Sequence, residues 1–228
     1  MTSELVYGRR AVREALRGPR EVLELLATER AARDGWERKP KVVPERVLSE
    51  VAGTRDHQGV VARVEPYRYA DAYELAALDE PLLVCLDQVT DPRNLGAVCR
   101  SAEGAGATGV VLPAHRSARV TPAVARSSAG AVEHLAVAVV ANLARWLNEV
   151  KSDRLWVWAA DAGGTPMGEA DLAGGVALVF GAEGQGLRPL VRKACDAAVS
   201  IPLLGRTESL NVSVAAAVLL YEARRQRG

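Results

Sequence analysis

Cysteine and long apolar runs are both scarce in this chain of 228 residues. The three cysteines, Cys85, Cys99 and Cys195, lie far apart in apolar surroundings, which argues against a disulfide framework or a metal site. No apolar run approaches the roughly 20 residues that span a bilayer, and no charged-then-apolar leader opens the chain. These absences predict a protein of the reducing cytoplasm, with no metal and no membrane partner.

Excess charge is also lacking, because 29 Lys and Arg face 28 Asp and Glu. The formal charge of +1 gives no argument for a nucleic-acid partner. Only four of the basic residues are lysines, and the planar fork of arginine suits phosphate because it donates two hydrogen bonds at once. Codon bias explains the same preference, so both interpretations stay open. The 49% hydrophobic content is that of an ordinary globular protein.

The first 66 residues mix short strand and helix patterns and predict a small α+β domain. The predicted order is a short strand or turn at 5–8, a helix at 9–17, a strand at 21–28, a helix at 44–51 and a strand at 59–64. Residues 67–80, which are rich in tyrosine and acidic side chains, are predicted to be a linker.

From residue 81 to residue 228 the pattern changes to short apolar runs separated by helical segments. The runs are 82–86, 109–112, 155–160, 176–180 and 198–201. Continuous apolar runs of this length are typical of strands covered on both faces. The helical segments between them, 94–104, 122–130, 143–150 and 189–194, are long enough to be crossovers. The predicted class is α/β with a mostly parallel sheet, closed by a final helix over 209–225.

Three segments with functional side chains follow predicted strands. They are Asp91–Arg100 (DPRNLGAVCR), Val179–Leu187 (VFGAEGQGL) and Ile201–Ser213 (IPLLGRTESLNVS). Because the carboxyl ends of parallel strands meet at one edge of a sheet, the three segments predict one composite pocket.

Each segment also has a simpler structural interpretation. The glycine loop at 181–186 lacks the Lys-Ser/Thr of a Walker loop and the GxGxxG spacing, so it is either another kind of ligand loop or a tight turn. Asn94 and Ser209 could be plain helix caps, and Arg100 could form an ion pair with Glu103. Asn211, predicted to lie buried inside the last helix, is harder to explain by structure alone.

Taken in order, these residues resemble the three motifs of the SpoU (TrmH-like) RNA ribose 2′-O-methyltransferases, within the SPOUT superfamily. The resemblance covers about residues 82–225 and is carried by Asn94…Arg100, Gly181-x-Glu183-Gly184 and Ile201-Pro202-Leu203…Ser209-Leu210-Asn211. Two front segments, Val6–Val12 and His57–Ala62, are similar to the substrate-binding domain of members that modify 23S ribosomal RNA.

The resemblance implies a deep trefoil knot in the parallel domain, a ribosomal-protein-L30e-like front domain, and a homodimer. It implies S-adenosylmethionine as cofactor, contacted largely through the main chain of Gly181, Ile201, Leu203 and Leu210. It assigns the catalytic role to Arg100 with Asn94, while Glu183, Ser209 and Asn211 shape the site. The expected RNA contacts of the front domain are Arg9, Arg10, Arg13 and Arg17, for which a solvated helix face is the alternative.

The implied reaction moves a methyl group to a ribose 2′-hydroxyl, whose proton must leave as the bond forms. Arginine is an awkward base because its pKa lies above about 12. Arg100 either loses its proton transiently, or stays cationic while another group, such as His57, His115 or His134, accepts the proton. The expected target is a guanosine of 23S ribosomal RNA. The alternatives are transfer RNA, a ribosomal site of antibiotic resistance, and a non-catalytic RNA-binding or ribosome-assembly role.

Overall fold

The computed structural model describes residues 3–228, which form two compact units. The first unit contains the described residues up to Arg68 together with Arg119–His134. The second unit contains Tyr69–Ala118 and Leu135–Gly228. In chain order the elements are β1 (Glu4–Tyr7), α1 (Arg9–Arg17), β2 (Val22–Ala27), β3 (Lys41–Val42), α2 (Glu45–Ala52), β4 (Val60–Val64), α3 (Ala72–Ala76), β5 (Leu82–Asp87), α4 (Pro92–Gly104), β6 (Gly109–Pro113), α5 (Pro122–Ser127), β7 (Ala136–Val140), α6 (Leu143–Val150), β8 (Leu155–Pro166), β9 (Gly175–Gly181), α7 (Pro189–Ala194), β10 (Ala197–Ser200) and α8 (Val212–Arg227).

The first unit is built on a four-stranded sheet in the order β1-β4-β2-β3. Strand β4 pairs antiparallel with both β1 and β2, and the short β3 adds in parallel to β2. Helix α1 buries Ala11, Val12 and Ala15 on one face. The predicted elements of this unit are therefore present, with ends shifted by a few residues.

A buried ion pair ties residues 119–134 into the first unit. Arg20 donates from Nε to Oε2 of Glu133 at 2.9 Å, and both side chains are almost wholly buried. Arg20 also donates to Glu4 at 3.0 Å and lies over the ring of Tyr67. Nothing in the spacing of the sequence indicates that a segment so late in the chain packs with the front domain.

The second unit contains a six-stranded sheet in the order β10-β8-β9-β5-β6-β7, with every pairing parallel. The prediction of an α/β fold with a parallel sheet is confirmed. Strand β7 was not predicted, and the predicted linker 67–80 contains helix α3 and a bridge from Ala70 to Ala138. The last helix begins at Val212 and not at Ser209, because Asn211 ends the preceding loop as the N-cap.

Helices cover both faces of this sheet, as continuous apolar strands require. The apolar cluster on one face includes Trp146 and Leu147 of α6 and Val191 of α7. Helices α4 and α8 pack against each other, and α8 also contacts β9. Along β5 and β9 the register pairs Asp87 with Gly181, so the ends of the two strands lie side by side.

Candidate active site

The candidate site lies at the carboxyl ends of β5, β9 and β10, within the second unit. Three segments leave the sheet there: the turn after Asp87, the glycine loop 182–187 and the chain 201–211. A groove of about 520 Å³ runs between the first two, and its lining includes Gln88, Asn94 and Glu183. The edge of the sheet thus brings together segments that are distant in the sequence.

Three polar side chains meet in this region, which we call the amide–carboxylate cluster: Asn94, Glu183 and Asn211. Nδ2 of Asn94 donates to Oε1 of Glu183 at 3.0 Å. Nδ2 of Asn211 donates to Oδ1 of Asn94 at 3.1 Å and also to Oε1 of Glu183. One member comes from each of the three motifs, so the predicted composite pocket is present as a hydrogen-bonded unit.

Helix caps place the two asparagines, although not as the sequence indicated. The N-cap of α4 is Asp91, whose carboxylate accepts from the N–H of Arg93 at 2.8 Å, so Asn94 lies inside the helix with its amide free for the cluster. Asn211 is the exposed N-cap of α8 and accepts from the N–H of Ser213 at 2.9 Å. The predictions that Asn94 caps a helix and that Asn211 is buried inside one are wrong, because Asp91 and Asn211 occupy the cap positions.

The glycine loop needs glycine at Gly181 for a steric reason. A Cβ atom on Gly181 would lie 2.1 Å from the carbonyl carbon of Gly186, since the loop folds back onto the end of β9. The N–H of Gly186 closes the turn on the carbonyl of Ala182 at 2.9 Å. The backbone N–H groups of Glu183 and Gly184 form no backbone hydrogen bond within residues 3–228. The turn is therefore tight, and it leaves main-chain donors exposed beside the cluster.

A buried carboxylate that the sequence analysis did not select holds the far side of this loop. Asp87 is fully buried at the end of β5, and its oxygens accept from the backbone N–H and the Nε of Arg188 at 2.9 and 2.8 Å. Nη2 of the Arg188 guanidinium also lies 2.6 Å from Oδ1 of Asp87, which completes the ion pair. An acid directly after an apolar strand was the available signal, since buried carboxylates require a partner.

The main chain between Ile201 and Leu210 has no backbone hydrogen bond within the described residues. Ile201 and Leu210 are half-buried, Leu203 is 37% exposed and Leu204 is fully exposed. Ser209 is exposed and forms no hydrogen bond with the cluster. Because buried or ordered backbone groups are normally paired, this segment offers donors and acceptors to a ligand.

Arg100 is not brought into the cluster. Six helical residues separate it from Asn94, which corresponds to about 240° around the helix and roughly 9 Å along it. Arg100 is exposed, and within residues 3–228 it has neither a hydrogen bond nor an ion pair, so the suggested pair with Glu103 is absent. It is an exposed cation on the helix that carries Asn94.

The three histidines differ in burial and in hydrogen bonding. His57 is buried in the first unit between Ser49 and the N–H of Gly59, each at 3.0 Å. His134, in the same unit, contacts Glu14 at 2.9 Å. His115 is exposed in the second unit, next to Arg116, which lines the 520 Å³ groove. Of the three, His115 is in the unit that carries the cluster.

Burial makes the cysteines poor nucleophiles. It raises the pKa of the Cys99 thiol to about 12 and that of Cys195 to about 11, and it raises the pKa of Cys85 further. Among residues 3–228 no group of three or more His, Cys, Asp and Glu side chains is placed to hold a metal ion. None of the helices in that range is long and apolar enough to cross a bilayer.

The raised thiol pKa values predict slow modification of the folded protein. At about pH 8 a free thiol is substantially ionised, whereas Cys99 stays protonated and inaccessible. We expect a disulfide reagent such as DTNB to label all three cysteines rapidly in denaturant and none rapidly without it. A fast-reacting thiol in the folded protein would contradict the burial of these residues.

The arginines predicted to contact RNA are largely paired within the first unit. Arg9 forms an ion pair with Asp34 at 3.2 Å, and Arg13 donates to the carbonyl of Asp34 at 3.0 Å. Arg17 pairs with Glu37 at 2.8 Å. Arg10 is exposed without an ion pair in residues 3–228. Helix α1 therefore presents fewer free cations than its sequence suggests.

A parallel α/β unit with a composite site at its strand ends and main-chain groups outside backbone hydrogen bonds is typical of a ligand-binding domain. The profile of the SpoU rRNA methylase family matches residues 81–221, and that of the RNA 2′-O ribose methyltransferase substrate-binding domain matches residues 5–70. The chain belongs to the SpoU methylase family.

Individual relatives agree with this assignment. The 23S rRNA (guanosine-2′-O-)-methyltransferase of Pectobacterium atrosepticum is 40% identical over 99% of both chains. An uncharacterised tRNA/rRNA methyltransferase of Synechocystis is also 40% identical over 99% of this chain, which spans 63% of that longer protein. The structure of the SpoU methyltransferase AviRb from Streptomyces viridochromogenes in complex with AdoMet aligns with a TM-score of 0.82 and 28% identity, over 99% of this chain and 90% of AviRb.

Proposed function

We propose that this protein transfers a methyl group from S-adenosylmethionine to a ribose 2′-hydroxyl of RNA, with a guanosine of 23S ribosomal RNA as the target. The observation that carries the proposal is the amide–carboxylate cluster, in which one residue of each family motif takes part. The full-length similarity to the Pectobacterium enzyme supports the choice of ribosomal RNA.

The residues present fit S-adenosylmethionine. An adenine edge needs main-chain donors and acceptors, and the segment from Ile201 to Leu210 has none of them engaged in backbone hydrogen bonds. The half-buried Ile201 and Leu210, with Leu203, would contact the flat purine, and Gly181 would allow close approach. When bound, the cofactor supplies a methyl group on a positively charged sulfur. The deep trefoil knot, with α8 threaded through a loop, is part of this proposal.

Arg100 would act as a fixed cation. Its guanidinium resists deprotonation, so its role is to bind the phosphate beside the target ribose and to lower the pKa of the 2′-hydroxyl electrostatically. A separate acceptor then takes the proton, and His115 is the exposed histidine of the same unit. The cluster of Asn94, Glu183 and Asn211 holds the motif loops in register, while Ser209 borders the substrate side.

Mapping of 2′-O-methylation in ribosomal RNA from cells with and without this gene tests the proposal. One methylated guanosine of 23S RNA should disappear with the gene and return when it is restored, but not when the Arg100→Ala variant is supplied. Loss of a mark in transfer RNA would redirect the substrate assignment. The protein would be a non-catalytic RNA binder if no 2′-O-methyl group disappeared with the gene and no labelled methyl group were transferred to total RNA in vitro.

The first unit offers a groove for the RNA, which we call the arginine groove and which Arg9, Arg30, Arg33 and Arg55 line. Its volume is about 1080 Å³. Arg30 and Arg55 are exposed and have no ion pair within residues 3–228, whereas Arg33 pairs with Glu29 and Arg9 with Asp34. Two free guanidinium groups beside an open groove suit phosphates of an unpaired RNA segment.

Replacing both Arg30 and Arg55 by alanine should weaken RNA binding and reduce its salt dependence. Each lost phosphate contact lowers the slope of log K against log salt by about one. Arg17→Ala is the matched control, because that side chain is already paired with Glu37. Equal losses in Arg17→Ala and in the double variant would show that the general charge of the unit, and not this groove, binds RNA.

A homodimer and a cytoplasmic location complete the proposal. Exposed apolar side chains of the second unit, among them Leu204, Val214 and Tyr221, would be covered in a dimer. Sedimentation of the purified protein measures the oligomeric state directly, and a monomer at micromolar concentration would remove this part of the proposal.

A further inference from the structure

A second large groove lies at the opposite end of the parallel sheet from the candidate active site. Its walls include Pro81, Leu155 and Gly175, where β5, β8 and β9 begin, and its volume is about 900 Å³. Strand β5 has six residues, which separates this groove from the carboxyl ends by about 20 Å. We call it the amino-end groove, and neither the cluster nor the cofactor segments line it.

Aromatic and aliphatic side chains form its apolar surface. Tyr73 and Trp156 are each 51% exposed, Leu78 is 55% exposed, and the buried Trp158 stacks beside Trp156 with 6.5 Å between ring centroids. Three of the ten aromatic residues of the chain therefore line one groove. Exposed aromatic rings in one concave surface are typical of binding sites, because their burial in contact with a ligand is strongly favourable.

One buried polar atom beside the groove lacks a partner. The Nε1–H of Trp158 is inaccessible and forms no hydrogen bond within the described residues. An unpaired buried donor costs free energy that an incoming acceptor would recover. A main-chain carbonyl of an occupant that reached this N–H would supply that acceptor.

The rim of the groove is acidic. Four carboxylates line it, and none of them forms an ion pair with any of residues 3–228: Asp79, Glu80, Asp153 and Asp171. Arg154 is the single basic residue of the lining. The lining thus carries a formal charge of −3 in a protein whose total is +1. This charge repels RNA phosphates and attracts cations.

We propose that the amino-end groove binds a basic segment of a partner polypeptide, with an arginine side chain over the ring of Trp156 and its guanidinium between the rim carboxylates. Arginine fits both features, because its plane stacks on aromatic rings and its fork matches a carboxylate. The carbonyl groups of such a segment provide the acceptor that Trp158 lacks. This site is independent of methyl transfer and would dock the enzyme on a basic protein near its RNA.

Binding of short labelled peptides to the intact protein tests the proposal. The probes are a peptide of alternating arginine and glycine, its lysine counterpart, its glutamate counterpart and a uridine oligonucleotide, measured by fluorescence anisotropy at about 150 mM salt. We expect the arginine peptide to bind most tightly, the lysine peptide less tightly and the glutamate peptide not at all. Trp156→Ala should weaken the arginine peptide about tenfold, and Trp156→Phe should restore most of the affinity.

Charge variants distinguish this site from general attraction or misfolding. Asp79→Asn with Asp153→Asn should weaken the arginine peptide about fivefold, whereas Arg154→Ala should strengthen it, which a misfolded protein would not do. Glu169→Gln, at an exposed residue of the same unit outside the groove, should change nothing. Equal binding by wild type and Trp156→Ala, or a Trp156→Ala defect confined to the oligonucleotide, would overturn the proposal.

Discussion

Arg100→Ala should reduce methyl transfer about 10²- to 10³-fold without lowering the melting temperature. Removal of a fixed charge that stabilises a developing oxyanion has an effect of this size. The stability of the folded state should be unchanged, because Arg100 is exposed and has no ion pair within the described residues. Substitutions at such surface positions shift the free energy of unfolding by no more than about 0.5 kcal/mol. Initial rates with labelled S-adenosylmethionine and a thermal melt provide the two measurements.

Arg93→Ala is the matched control, since Arg93 is another exposed arginine of helix α4. A similar loss of activity in Arg93→Ala would mean that general charge on α4, and not the position of Arg100, supports the reaction. The pH–rate profile separates the two roles of Arg100. If activity rises with a group that titrates near neutrality and the same rise persists in Arg100→Lys, Arg100 is not the base. If the rise is lost in Arg100→Lys but kept in His115→Ala, Arg100 itself takes the proton.

Arg188→Ala should be among the most destabilising single changes in the second unit. It removes the guanidinium from Asp87 and leaves a fully buried carboxylate with only the backbone N–H of residue 188. Stranding a buried charge costs about 3–5 kcal/mol. Asp87→Asn should cost only about 1–3 kcal/mol, because the released Arg188, 44% exposed, remains in contact with water. Urea denaturation measures both values.

The double variant Asp87→Asn with Arg188→Ala should be more stable than Arg188→Ala alone, because no buried charge then remains. Arg192→Ala, on the same helix α7, removes an exposed 3.4 Å pair with Asp161 and should cost at most about 1 kcal/mol. If Arg188→Ala were no worse than Arg192→Ala, the buried pair would not hold the glycine loop. Weaker cofactor binding in Asp87→Asn, with an intact cluster, would show that the loop has moved.

The apolar runs predicted five of the six parallel strands, because strands that are buried on both faces are continuously apolar in sequence. Strand β7 was missed because Ala136–Val140 consists of two alanines and three valines, and alanine suits helices as well as strands. The helices 143–150 and 189–194 were predicted with the bounds that the structure has. Local patterns therefore account for most of the second unit.

Contacts between residues that are far apart in the sequence could not be predicted from those local patterns. Asn94 and Glu183 are 89 residues apart, and only the strand order β9-β5 makes them neighbours. The ion pair of Arg20 with Glu133 joins residues 113 positions apart, and the periodicity of apolar residues does not predict it. Cap positions were misassigned by a few residues because Asp91, Asn94, Ser209 and Asn211 are all residue types that cap helices. The motif resemblance, and not the spacing of apolar residues, identified the residues that meet in the cluster.

Helix α8 is fastened at both of its ends. Asn211 holds the first turn to the cluster, while Arg227 donates to the carbonyls of Glu80, Pro81 and Gly174 at the amino edge of the sheet. Gln226 adds bonds to Leu172 and Ala170. The segment 201–210 thus connects two positions that are held by hydrogen bonds, the end of β10 and the start of α8. A loop whose ends are already fixed loses less conformational entropy on ordering, so a ligand that binds its main chain keeps more of its contact energy as affinity.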